Sequence, residues 1–416
     1  MTSRIIALIF IFACTAAAWA ILGTTIFSRT YNADPALKEK VQSSWGSPQK
    51  QLPPEAHYSY PVNNKVMVVE NGQTVEKIVQ TDVPVALPLE SSNIDVSLDL
   101  EHRQKGLLWY STYKTGFSGT YVFGNDSGHA VSAKIVWRFP AEKAIYDDLL
   151  VSLDGRPVRF STGKSFVEVA ADMPEGGTAA FKVSYRSQGL DEWQYTLGGN
   201  VSQVRDFSLR MKTNFAAIDF PDNTLSPTNK RRMDAGWELA WRFTNLVSGY
   251  DIAMAMPTKL QPGPLAGEIS FFAPVSLFFF FFVMFIIATL RKVDLHPINY
   301  FFLAAAFFSF HLLLAYLVDH VSIHAAFVIC SIVSIGLVVS YLRLVVGLQF
   351  AAREAGIAQF IYLVLFSYAF FFKGFTGLAV TIGAIVTLFA VMQITGRLNW
   401  SEQFRKGAAG PVAEAR

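Results

Sequence analysis

Four of the seven histidines fall within residues 292–324, "KVDLHPINYFFLAAAFFSFHLLLAYLVDHVSIH". Imidazole ligates metals, shuttles protons and changes charge near neutral pH, so a cluster of this kind raises a metal or proton site. Spacing argues against one shared site. His296 and His320 are 24 residues apart. On one helix that separation is about 36 Å at 1.5 Å per residue, which puts them on opposite faces of a bilayer. His311 stands about 13 Å from His320 by the same rise. Asp319, His320 and His324 are the residues that could converge on a metal, but they form no ligand motif. The preferred reading is interfacial: polar residues end one helix and begin the next. His311 is an intramembrane polar site. A structural role, bonding as a neutral imidazole across helices, is preferred to a proton relay.

The elements that must position these residues are membrane spans. Residues 5–27 carry no charge, a run long enough to cross the roughly 30 Å hydrocarbon core. A cleaved signal peptide has a shorter apolar region, so an uncleaved anchor is expected. A second apolar block divides into five spans near 269–290, 299–318, 325–346, 357–372 and 375–395. The phenylalanine run 278–282 reads as lipid-facing. Gly336 with Ser340, and Ala379 with Gly383, are small residues four apart that would let helices approach closely.

Charge orients this arrangement. Residues 30–268 hold 24 Lys+Arg against 27 Asp+Glu, leaving 11 against 5 for the rest. The positive excess therefore belongs to the membrane part, which argues against nucleic-acid binding. Arg4, Arg291, Lys292, Arg343, Arg353, Arg397, Arg405, Lys406 and Arg416 fall on one side of the membrane, and Lys373 on the other. The positive-inside rule then places both termini in the cytoplasm and residues 29–268 outside, the periplasm in a bacterium.

The exported region reads mainly as strands. Val131, Ala133, Ile135, Trp137 and Phe139 alternate with polar residues. So do Phe207, Leu209, Met211 and Phe215, and Trp237, Leu239, Trp241 and Phe243. This is the pattern of half-buried strands. Asn71-Gly72 and Asp154-Gly155 are hairpin dipeptides. One antiparallel sandwich, or two, is expected. Asp34 would cap a helix with Pro35 at its first position, and the proline- and glycine-rich residues 257–268 read as a linker. Cys14 and Cys330 both lie in apolar segments, so no disulfide or cysteine-rich zinc site is available to the exported region. Catalytic signatures are missing: no nucleophile elbow, phosphate loop, metalloprotease helix or dinucleotide fingerprint occurs. "GFSG" at 116–119 reads as a turn, and "GFTG" at 374–377 opens the last span.

At these residues the chain resembles a family. "LHPINYFFLAAAFFSFHLLLAYLVDH" is similar to the signature of the CreD-like inner-membrane proteins, through Leu295, His296, Pro297, Tyr300, Asp319 and His320. "SSWGSPQKQLPPEAHYSYP" (43–61) resembles that family's entry into its exported domain, and "YDIAMAMP" (250–257) the strand leading toward its second span. The chain departs from the family at Pro53-Pro54, where glycine-proline is usual. It departs again at the "QPGPLAGE" linker and at His311, usually aromatic. The resemblance implies an anchor, a β-rich exported domain and a helical bundle, with a role in envelope integrity and stress response. It implies no catalytic activity, so no catalytic residues carry over.

The expected architecture is an integral membrane protein. It has an anchor (1–28), a periplasmic, mainly-β, antiparallel sandwich-like domain (29–256), a linker (257–268), a bundle of five transmembrane α-helices (269–396) and a cytoplasmic tail (397–416). The expected function is non-enzymatic, without cofactor, with the lipid bilayer and periplasmic or envelope proteins as partners. A transporter or lipid-handling protein using the bundle is the alternative, and a metal-dependent activity at Asp319, His320 and His324 a third.

Overall fold

Residues 2–70, 73–106, 108–197, 202–372 and 374–396 are described by the structure, a computed structural model. They fall into two units. One comprises Met1–Pro35, Gly106–Leu108 and Leu260–Arg416; the other comprises Ala36–Lys105 and Trp109–Lys259. Asn71-Gly72, Lys373 and the basic residues of the expected tail (397–416) lie outside the described residues.

The first helix, α1 (Thr2–Trp45), departs from expectation. Asp34 does not cap a new helix, because Pro35 sits inside a continuous one. An interior proline forfeits a backbone bond and crowds the carbonyl four residues back. The helix continues because the chain beyond it is rich in helix formers and is held by tertiary contacts. Lys38 pairs with Asp191 at 2.6 Å, and the Arg103 guanidinium lies 3.3 Å from the Trp45 ring centre. Gly46, at φ +121°, ends the run.

Among the described residues sixteen strands follow: β1 (Gln49–Gln51), β2 (Glu55–Glu70), β3 (Gln73–Ala86), β4 (Leu89–Lys105), β5 (Leu108–Gly124), β6 (Val131–Arg138), β7 (Tyr146–Leu153), β8 (Arg156–Pro157), β9 (Ser161–Thr162), β10 (Phe166–Met173), β11 (Thr178–Leu190), β12 (Glu192–Tyr195), β13 (Ser202–Thr213), β14 (Asn229–Arg232), β15 (Trp237–Ser248) and β16 (Ile252–Ala255). They make an eight-stranded sheet (β14-β15-β13-β4-β5-β11-β7-β8), a five-stranded sheet (β3-β2-β6-β10-β9) and a three-stranded one (β1-β12-β16). The alternations expected from sequence lie on β6, β13 and β15, with Ile135, Trp137, Leu209, Met211, Leu239 and Trp241 buried. The larger sheets share one core: Trp137 of the five-stranded sheet packs 5.5 Å from Tyr185 of the eight-stranded one. A mainly-β sandwich is therefore present, and it is single. Burying each side chain of this size stabilises the fold by about 1.5–3 kcal/mol.

Two details of the strands differ from expectation. The sheets are not wholly antiparallel, since β4–β13 and β1–β12 pair in parallel. Such partners lie far apart in sequence and leave no local signal. "GFSG" is not a turn but the middle of β5. Glycine suits that strand because a Cβ at Gly119 would fall 2.7 Å from the Tyr121 ring. Asp154-Gly155 does form a hairpin, joining β7 to β8 with φ of 50° and 77°, as a type I′ turn requires.

Among the described residues, six helices are long and apolar enough to cross a membrane. After α1 come α2 (Pro262–Arg291), α3 (Pro297–Leu317), α4 (Ile323–Val346), a fifth span (Phe350–Phe371) and a sixth (Thr376–Thr395). α2 begins inside the stretch expected to be linker. Pro262 stands at its first position and Pro264 in its first turn, where backbone N–H groups have no intrahelical partner to lose. The first span is no detached anchor. Trp19, Ile26 and Thr30 are buried, and Gly263 and Gly267 leave room for Thr30 and Phe27. The phenylalanine run is not uniformly lipid-facing. Phe280 and Phe281 are buried while Phe278 and Phe282 are exposed, because five successive residues sweep every side of a helix. Gly336 has open space around its Cβ position and makes no close helix contact, whereas Gly383 lies against the Phe366 ring.

Candidate functional site

The family-like residues of the helical unit occupy the two ends of α3. At its start Leu295 is buried and His296 is the N-cap, its Nδ1 accepting from the Ile298 N–H at 3.3 Å. Pro297 follows at the first helical position, where its missing N–H costs nothing. Tyr300 is buried with its ring 5.4 Å from Phe281 of α2, and Asn299 accepts a hydrogen bond from the Tyr341 hydroxyl at 2.8 Å. The Leu-His-Pro…Tyr pattern therefore starts the helix and seats it on its neighbours.

At the other end Asp319 and His320 are exposed in the turn after α3. Asp319 accepts from Arg29 of α1 at 3.4 Å. The same guanidinium donates to the Ala315 carbonyl at 2.9 Å and lies 5.6 Å from the Tyr316 ring centre. His324 rests against the Phe371 ring at 5.1 Å. Asp319 and His324 are thus engaged with different partners. Among the described residues no group of three or more His, Cys, Asp or Glu side chains is arranged to hold a metal.

His311, on α3, is wholly buried. Its Nδ1 lies 3.2 Å from the Phe307 carbonyl. A carbonyl only accepts, so Nδ1 carries the hydrogen and Nε2 presents a lone pair. Trp19 of α1 crosses the imidazole edge-on at 5.4 Å, and Phe310 does so at 4.9 Å. The hydrogen bond stays within α3 instead of crossing to a neighbouring helix as expected, and the surrounding rings place the imidazole.

In the β unit the other two family-like segments meet. Gln49 and Gln51 on β1 are fully buried. Gln49 donates through Nε2 to Ser187 Oγ at 2.7 Å and to the Gln188 carbonyl at 2.9 Å. Gln51 accepts from the Tyr185 hydroxyl at 2.9 Å and donates to the Leu52 carbonyl at 2.7 Å. β12 pairs with β1 on one side and with β16, from "YDIAMAMP", on the other. Asp251, next to β16, accepts from Gln194 Nε2 at 2.5 Å and stands 3.8 Å from the Lys50 ammonium. The carbonyl of Pro257 accepts from Ser111 and from His102 Nε2. These segments lock the two ends of the β unit's chain into its core. Burial pushes the phenols of Tyr113, Tyr185 and Tyr195 well above the usual tyrosine value, so they stay neutral donors.

The same unit carries a groove of about 420 Å³ on the eight-stranded sheet. Small side chains floor it: Ser97, Ser118 and Ser184, with Gly116, whose Cβ would fall 2.9 Å from Ser97 Oγ. One bank holds Arg210 paired with Asp95 at 2.6 Å; the other holds Arg186 paired with Asp147 at 3.2 Å and with Asp148. Lys212 stands exposed beside them.

Sequence reasoning missed Gln359. It lies between two π-helical stretches, Phe350–Ala355 and Phe360–Leu365, and donates to Ser334 Oγ at 2.7 Å. Ser334 donates in turn to the Ala306 carbonyl at 2.6 Å. A glutamine within an apolar span was the available signal. Glu354, in the first π stretch, pairs with Arg291 at 2.7 Å.

A family model described as inner membrane protein CreD matches residues 1–401. No curated protein matches the chain. Among solved structures, a Legionella pneumophila protein described as nutrient-binding is similar at 10% identity and a TM-score of 0.31, over 55% of this chain and 76% of that one. An M1 zinc metallopeptidase from Deinococcus radiodurans is similar at 12% identity and a TM-score of 0.26, over 40% of this chain and 42% of its own. Likenesses at these scores carry no argument about fold or activity.

Proposed function

Because the chain belongs to the CreD family of inner membrane proteins, we propose that it acts without catalysis in cell-envelope integrity or the envelope stress response. In this reading its β unit engages periplasmic or envelope components while its spans hold it in the bilayer. One observation carries the proposal: the groove between Arg210–Asp95 and Arg186–Asp147/Asp148. It is a shaped surface edged by charge pairs, which suits recognition better than acid–base chemistry.

The sidedness draws support from two ion pairs. Arg29, just past the first apolar run, meets Asp319 just past α3; both mark the expected outer face. Arg291 at the end of α2 meets Glu354 at the start of the fifth span; both mark the expected inner face.

The test places a photo-crosslinking residue at Leu150, exposed in the groove, in the full chain within cells. Capture of an envelope component, lost on Arg210→Glu, supports the reading. No capture, together with unchanged detergent sensitivity when the gene is deleted, overturns it. The transporter or lipid-handling reading has its own observation, the Gln359 carbonyl oxygen left without a protein partner between two π stretches, since such stretches gather at functional sites. A Gln359→Leu variant with undiminished envelope resistance would remove that reading.

A further inference from the structure

Three buried polar atoms from three different helices lack a protein partner: Trp19 Nε1 on α1, Ser276 Oγ on α2 and His311 Nε2 on α3. Their residues are 0%, 1% and 0% exposed. Buried polar groups are nearly always satisfied, by protein or by ordered water.

The three stand at one level. Trp19 contacts the His311 ring at 5.4 Å and the Phe307 ring at 6.0 Å. Phe307 packs 5.5 Å from Phe280 of α2. Only residues 292–296 link α2 to α3, so the two run antiparallel. One turn back from Phe280 is Ser276, and one turn forward from Phe307 is His311; both steps move the same way along the bundle. α1 agrees. Its contacts Phe12–Phe278 and Phe27–Phe271 bracket Trp19 and Ser276 alike.

Their chemistry is complementary. Trp19 can only donate, and His311, with its hydrogen on Nδ1, can only accept at Nε2. Ser276 can do either. Serines in apolar helices often satisfy themselves by bonding the carbonyl four residues back, as Ser270 and Ser331 do here at 2.7 Å. Ser276 makes no such bond.

We propose that Trp19, Ser276 and His311 together bind one water molecule inside the helical unit. The water accepts from Trp19 Nε1–H, donates to His311 Nε2 and exchanges its remaining bond with Ser276, giving the roughly three bonds usual for a buried water. It ties the first span to α2 and α3, a place where an aromatic residue at 311 would leave the indole N–H unanswered.

The sign of a stability change tests the proposal. If the three atoms were independent orphans, removing one would stabilise the protein or leave it unchanged. If a shared water satisfies them, removing one strands the others. Full-length protein in lipid nanodiscs is heated. Ser276→Ala and His311→Phe are each expected to lower Tm by about 2–4 °C. The triple variant Trp19→Phe, Ser276→Ala, His311→Phe should recover most of that loss. Single variants that raise or keep Tm, or losses that add without recovery, overturn the proposal. Should the triple variant fail to fold, a density map at a resolution that shows ordered water decides. Density bridging the three atoms supports the site, and its absence there overturns it.

Discussion

Gln51→Met is the sharpest test of how the chain enters the β unit. Methionine keeps the length and nearly the volume of the side chain, so little cavity forms. What is lost is polar. Gln51 is wholly buried and accepts from Tyr185 at 2.9 Å while donating to Leu52 at 2.7 Å. The Leu52 carbonyl is only partly buried and can turn to solvent. The Tyr185 hydroxyl is fully enclosed, and leaving it unsatisfied costs about 1–3 kcal/mol. The expected loss is therefore within that range. Tyr185→Phe alone should also destabilise, because it strands Gln51 Oε1. The double variant, with both polar groups gone, should be more stable than the sum of the singles implies, by about 0.5–3 kcal/mol. Urea unfolding of the full-length protein, followed by tryptophan fluorescence, measures this. Trp137 is buried 5.5 Å from Tyr185, so its emission reports on this part of the core. A Gln51→Met change under about 0.5 kcal/mol, or strict additivity of the two substitutions, would refute the argument that this bond fastens the entry strand.

Three further outcomes are expected. Gly46→Ala should destabilise the β unit by more than about 1–2 kcal/mol, since φ +121° is unfavourable to any L side chain and its Cβ would fall 2.3 Å from the Gln188 carbonyl oxygen; urea melts of the variant check this. Stability should fall as pH rises above about 10, the unfolded phenol value, because burial pushes Tyr146 up to about 12 and raises Tyr113, Tyr185 and Tyr195 well above their ordinary value. Each phenol keeps its proton folded and loses it unfolded in that window, adding a slope approaching about 1.4 kcal/mol per pH unit; urea midpoints at pH 9, 10 and 11 measure it. Arg29→Gln and Asp319→Asn should each cost at most about 1 kcal/mol, as both side chains are partly solvated, and the double variant should cost no more than the larger single; Tm values in nanodiscs test this coupling.

Much of the fold was legible because its causes are local. Uncharged runs long enough to cross a bilayer mark the spans, and period-two alternation in 131–139 and 207–215 marks strands whose apolar side must be buried. The histidine-rich stretch was legible too: His296-Pro297 and Asp319-His320 sit at opposite ends of α3, as their spacing required. What escaped was non-local. The parallel pairing of β4 with β13 joins segments more than a hundred residues apart. Arg29 finds Asp319 across 290 positions. Gln49 and Gln51 lie in the segment that resembles the family's entry into its exported domain, and their burial depends on Ser187 and Tyr185, which arrive from β11 to receive them. Pro35 read as a helix start, and contacts at Lys38 and Trp45 overrode it.

By itself, the sequence determined which segments are lipid-compatible, which are β-rich, where the charges divide and which residues carry the family pattern. These follow from hydropathy, periodicity and residue type, properties each segment holds alone. Only the tertiary structure decided that His311 faces Trp19, that Asp319 answers Arg29 and that paired charges line a groove on the large sheet. A polar atom's partner is set by which chains fold beside it, and no local pattern contains that.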